Sequence, residues 1–200
     1  MHDSSLNKPA PDRFPWVSVT SEPELHGWLL QHHSQQHAVW LQTYKKAVPD
    51  KHVPHEQVLD QLVAFGWTDG IKRRVDEERT IQLISPRRTQ PWAKSYKDRA
   101  ERLRAAGRMH PAGQSSVDHA KATGAWDAMN DVDSLVVPAD LDQALRAQPP
   151  AADNFAGFPP RTRRNILRWI ASAKTDVTRT KRIDLTVSEA QIGARVKSNG

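Results

Sequence analysis

The 200-residue chain contains no cysteine, which removes disulfide scaffolds, thiolate catalysis and Cys-ligated zinc or iron–sulfur sites together. It also lacks any apolar run approaching the ~18 residues that a membrane span needs. Its start, Met1-His2-Asp3-Ser4-Ser5, has neither a cationic head nor an apolar segment, so a cytoplasmic protein without a membrane span is expected. Three common catalytic signatures are missing as well: the Gly-x-Ser-x-Gly elbow, the Walker A loop and the Gly-x-Gly-x-x-Gly fingerprint. Nine histidines supply no His-Glu-x-x-His motif. His33 and His37 straddle a helix end, and Pro54 separates His52 from the His55-Glu56 pair. No metal site and no cofactor is therefore expected.

What is present is charge, unevenly placed. The total is +6, but residues 1–70 carry 5 basic against 8 acidic side chains and residues 71–108 carry 12 against 5. Residues 109–160 hold 2 against 7, and 161–200 hold 10 against 3. The segment charges therefore run −3, +7, −5, +7. Such an alternation suits mutual neutralisation of neighbouring segments, or a basic face for an anionic partner: a small molecule, a protein or nucleic acid.

The coarse pattern predicts an α+β fold, a small antiparallel sheet with packed helices followed by a mostly helical C-terminal unit. Residues 1–15, with Pro9, Pro11 and Pro15, read as a disordered tail. An α+β N-terminal domain is expected over 16–126. Within it Trp16–Val19 suggests a short edge strand, and Ser21-Glu22-Pro23-Glu24 a capping box opening a helix over 22–33. Residues 38–44 read as a strand, and 55–65 as a helix with Val58, Leu62 and Phe65 on one face and Gly66 as its cap. From Trp67 to Ser85 the spacing becomes two, giving short strands with Asp69-Gly70 as a tight turn. Helices over 95–106 and 111–123 follow. Residues 127–154 read as a partly ordered connector, and 155–200 as a helical block opened by the helix 161–174, whose stripe is Ile166, Trp169, Ile170 and Ala173.

The candidate ligand-binding residues are Trp67, Asp69, Arg73, Arg74, Arg87, Arg88 and Trp92. Guanidinium groups beside aromatic rings suit anionic or stacked ligands, and Asp69 stands beside Trp67 just ahead of a basic strand. Period-two geometry carries Arg73 to the side of Ile71 and Val75. A guanidinium taken into the core cannot shed its charge and needs a carboxylate or a bound anion, with Asp69 as the nearest partner and Glu77 or Glu78 across the turn as the alternative. Catalytic residues are not identifiable. Two further readings stay open: an enzyme with a pocket around Trp67, Asp69 and Arg73, and a nucleic-acid-binding protein using Arg161, Arg164 and Arg168.

His32-His33, Val39-Trp40-Leu41, Lys45-Lys46, Phe65-Gly66-Trp67-Thr68-Asp69-Gly70, Pro86-Arg87-Arg88, Trp92, Gly107-Arg108-Met109 with Pro111-Ala112-Gly113, and Gly124-Ala125-Trp126 resemble the YdeI/OmpD-associated, or bacteriocin-protection, family. Arg163-Arg164, Trp169-Ile170, Ala173-Lys174, Thr178-Arg179 and Arg182-Ile183 resemble its C-terminal block, so that the resemblance runs over roughly 16–195. It implies a bacterial cytoplasmic protein of stress or antimicrobial-peptide protection, without an established reaction. The family name points to an outer-membrane porin, but a chain read as cytoplasmic is not expected to touch one directly.

Overall fold

The computed structural model describes residues 13–196, so residues 1–12 of the expected tail lie outside the described residues. The chain divides into two compact units, one up to Trp126 and one from Asp127 onward. Among the described residues no helix is long and apolar enough to cross a membrane.

The first unit runs β1 (Trp16–Ser18), α1 (Glu22–His32), β2 (Val39–Tyr44), a short 3-10 turn, α2 (His55–Ala64), β3 (Trp67–Arg74), β4 (Arg79–Pro86), α3 (Lys94–Ala105) and α4 (Pro111–Ala122). Ser21 caps α1 by accepting from the Glu24 N–H at 3.3 Å. Glu24 turns back one residue beyond the cap, to the Thr20 N–H at 2.7 Å and the Thr20 hydroxyl at 2.9 Å. Because α1 crosses over between β1 and β2, those strands pair in parallel, Trp16 beside Trp40, as a helical crossover requires. The four strands lie in the order β1-β2-β4-β3, with the other pairings antiparallel. The sheet is thus mixed where an antiparallel one was expected.

Asp69-Gly70 does not turn the chain. β3 runs straight through it to Arg74, and the reversal falls at the acidic Asp76-Glu77-Glu78. Asp76 Oδ1 holds that reversal by accepting from the Glu78 and Arg79 N–H groups at 2.9 and 2.7 Å. Between Asp69 and Lys72 the register slips, because three steps along β3 oppose two along β4 from Ile84 to Gln82. This is a β-bulge, and the extra residue reverses the sides taken by everything after it. Ile71 and Val75 accordingly stand 51% and 37% exposed instead of entering the core.

One face of the sheet, with Val39, Leu41, Trp67 and Ile84, packs on Leu25, Leu29, Leu62, Phe65, Trp92 and Leu103 to form the first core. Two glycines bring α2 and α4 together. A Cβ on Gly113 would stand 2.1 Å from the Ala64 carbonyl oxygen, and one on Gly66, at φ +75°, would stand 2.9 Å from that of Ala112. The Ala64 carbonyl also accepts from the His110 N–H at 3.1 Å. Between α2 and α3, the buried Arg99 guanidinium bonds Asp60 and Glu56, and Arg102 adds a contact to Asp60 at 2.6 Å.

The second unit comprises α5 (Asn130–Asp133), α6 (Ala139–Arg146), α7 (Ala151–Gly157), α8 (Pro160–Ala171) and α9 (Asp176–Gln191). Residues 127–154, expected as a partly ordered connector, contain α5, α6 and the start of α7 and place Val132, Leu141, Leu145 and Ala151 in a core with Phe155, Ile166, Ile170 and Val187. Thr175 opens α9 by accepting from the Thr178 N–H at 3.2 Å. Its arginines are tied down: Arg179 pairs with Asp140 at 2.7 and 2.9 Å, and Arg182 lies over Trp169. Arg164 and Arg168 of α8 converge on Asp133 at 3.9 and 3.5 Å.

Candidate functional site

Of the seven candidates, Arg87, Arg88 and Trp92 come together at the end of β4. Arg87 leaves the sheet just after Pro86, and its N–H bonds the Gly66 carbonyl at 2.9 Å. Its guanidinium carbon stands 4.4 Å from the Trp92 ring centroid and 4.8 Å from that of Tyr96. It donates to the Thr68 hydroxyl at 3.1 Å and to the Gln90 and Pro91 carbonyls at 3.3 and 3.4 Å, while its buried Nε–H has no acceptor. No carboxylate is within ion-pair distance of it among the described residues. Burial in this aromatic setting pushes the guanidinium down to about 10, with the Asp69 charge acting weakly the other way. At neutral pH it remains a cation.

Trp67 is fully buried in the core, donating through Nε1 to the His33 carbonyl at 3.3 Å. Trp92, 1% exposed, supports Arg87 from beneath. Asp69 accepts from the Tyr96 hydroxyl and, at 2.8 Å, from the Gln82 amide. The bulge places Arg73 opposite Ile81, on the other side of the sheet, where it lies 5.4 Å from Trp40. The expected pairing of Arg73 with Asp69 therefore gives way to two separate arrangements. Arg74 is exposed and bonded to Glu77.

Beside Arg87 opens a cleft of about 430 Å³. Gly66 forms part of its floor. Arg88 borders it, anchored by a 2.9 Å bond to the Gln36 carbonyl. His33 enters from the end of α1. From α4 come Ala112, Ser115, Ser116 and His119, at i, i+3, i+4 and i+7 and hence on one helical face, while Gly113, Val117 and Ala120 take the buried face. Sequence reasoning missed this polar stripe although its spacing was visible. The lining includes no carboxylate. Next to it, His110 stacks on Phe65 at 4.6 Å and meets His33 at 4.7 Å. Burial, together with the His33 and His26 charges, lowers the His110 imidazole below its ordinary value. Its Nδ1 accepts from the Ala112 N–H at 3.2 Å, capping α4. Among the described residues no group of three or more His, Asp or Glu side chains could hold a metal ion.

Comparison with known proteins gives two family matches. Residues 134–193 match the family described as bacteriocin-protection, YdeI or OmpD-associated. The resemblance read over roughly 16–195 is therefore supported over this C-terminal segment; the N-terminal blocks up to Gly113 fall under a different family, and Gly124-Ala125-Trp126 under neither. No curated protein and no solved structure matches the chain. Residues 17–116, half of the chain and the source of every cleft-lining residue except His119, match a domain of unknown function, DUF8412, and the chain belongs to that family.

Proposed function

We propose that the chain is a non-enzymatic stress or bacteriocin-protection protein of the bacterial cytoplasm, acting by binding an anionic partner at the basic cleft of its first unit. The protective role is suggested by the family match over 134–193. One observation carries the binding role. Arg87 is a desolvated cation stacked on Trp92 and Tyr96, facing a cleft that also presents Arg88 and no carboxylate. A cation held in this way costs stability in the free protein, and an anion in the cleft offsets that cost.

The test is a thermal-shift titration of the full chain with inorganic phosphate, sulfate, nucleotides and oligonucleotides at constant ionic strength. A ligand that binds only the folded state stabilises it by about 2.7 kcal/mol at a hundred times its Kd. A saturable rise in Tm with an anion, lost in Arg87→Met, is the expected result. In parallel, producing cells should survive a cationic bacteriocin better with the wild-type chain than with Arg87→Met. No stabilisation by any anion overturns the binding role, and equal survival overturns its link to protection.

A further inference from the structure

We propose that the cleft is a phosphoryl site: it takes the phosphate group of a small phosphorylated molecule, whose remainder extends through the open mouth. This rests on the anion-binding reading above and specifies its ligand. Three walls converge there. The turn after β4 contributes Arg87 and Arg88, the end of α1 contributes His33, and the polar stripe of α4 contributes Ser115, Ser116 and His119.

The donors are unspent. Neither arginine is in an ion pair among the described residues; the Arg87 N–H groups outside its buried Nε bond only neutral oxygens, and Arg88 is exposed at the cleft with one bond to the Gln36 carbonyl. His33 donates through Nδ1 to the Leu30 carbonyl at 3.1 Å, so its Nε2 donates to a ligand only when the ring is protonated. The Ser115 and Ser116 hydroxyls and the His119 ring bond to no described residue. A carboxylate brings one charge and two oxygens to such a set and leaves much of it unanswered. A phosphate monoester brings a charge of about −1.5 to −2 and three strongly accepting oxygens, and arginine binds it bidentately. The start of α4 is not the source of attraction, since Pro111 has no N–H and the Ala112 N–H is taken by His110.

Size and charge placement argue for a small molecule. The volume of about 430 Å³ lies within the roughly 300–1,000 Å³ of small-molecule sites. Three of the other arginines of this unit are answered by carboxylates and so offer less to a polyanion: Arg74 by Glu77, and Arg99 and Arg102 by Asp60.

Phenyl phosphate and benzoate share an aromatic body and differ in the anion, so calorimetric titration of the full chain with each, and with a DNA oligonucleotide, at one ionic strength tests the proposal. Phenyl phosphate should bind about tenfold or more tighter than benzoate. Arg88→Gln, at an exposed position, should weaken it about tenfold, and Ser115→Ala with His119→Ala several-fold, while Arg74→Gln behaves as wild type. Amide NMR shifts on adding phenyl phosphate should centre on His33, Arg88 and Ser116. Equal affinity for benzoate overturns the phosphoryl assignment and leaves the anion site standing. Tighter binding of the oligonucleotide, competing with phenyl phosphate, overturns the small-molecule assignment. Failure of every anion to bind overturns both this proposal and the reading beneath it, and unchanged affinity in Arg88→Gln places the site elsewhere.

Discussion

Two arginines of the first unit, the partly buried Arg87 and the buried Arg99, meet burial in opposite ways. Arg99 is 8% exposed and closes on Asp60 and Glu56, joining α3 to α2. Burial by itself would raise the Asp60 carboxyl, but hydrogen bonds from Arg102 and Arg99 outweigh it and hold the group below its usual value. Arg87 has no such partner. It leans on Trp92 and Tyr96, uses neutral oxygens for its hydrogen bonds, and has its proton affinity lowered by the same burial. A charge answered inside the fold acts as a tie between helices, whereas a charge left to neutral neighbours beside a cleft is answered from outside.

Arg99→Met is the largest expected break in this contrast. It strands Asp60 in a buried position with only Arg102 remaining, and should lower unfolding stability in urea by about 3 kcal/mol, the low end for a broken buried pair. Asp60→Asn, which leaves two guanidinium groups facing a neutral amide, should cost a similar amount. A loss below about 1 kcal/mol in both would mean that the cluster is solvated and that the comparison with Arg87 fails.

The second unit sets a middle case, in which Arg164 and Arg168, both partly exposed, share Asp133. Changing both to Gln should cost about 1 kcal/mol, in keeping with solvent-screened pairs, while either single change costs less because the other arginine stays. A single variant as damaging as the double would show that one arginine carries the contact.

Arg87→Met should do little to stability, within about 1 kcal/mol, because it removes a desolvated charge and orphans no carboxylate. It should nonetheless abolish the rise in Tm with anions. If it destabilises as strongly as Arg99→Met, Arg87 is another structural tie and the cleft loses its argument.

The smallest effect concerns pH. His110 has its proton affinity lowered in the fold by burial and by the His33 and His26 charges. The unfolded chain then takes up the proton first as pH falls. The His110 contribution is fully present above about 6.5, the ordinary value, and is lost progressively below it. A thermal melt series from pH 7.5 to 5.5 should show a small decline in Tm that is shallower in His110→Asn, where Asn keeps the helix cap. An equal slope in the two proteins would leave the cleft histidines electrically independent of the fold.

The sequence by itself determined what depends on neighbours a few residues away. The Ser21 cap, the face of Leu25 and Leu29, the Gly66 helix end, the α+β class and the helix expected over 161–174, which ends at Ala171 and so leaves Ala173 outside it, were legible because i, i+3, i+4 spacing and capping are local. Asp69-Gly70 misled for the same reason. A dipeptide that favours positive φ marks a turn in isolation, and only the pairing of β3 with β4 turned it into a bulge, which moved Arg73 away from Asp69. The cleft was less legible still. Arg87 and Arg88 stood out by composition, but their meeting with His33, Ser116 and His119 required residues up to 86 positions apart in the chain to converge. The missing side chain at Gly113, whose Cβ would stand 2.1 Å from the Ala64 carbonyl oxygen, lets α4 lie close to α2, and therefore sets where its polar stripe falls. Distances of that kind are fixed by close packing between elements, which no window along the chain contains.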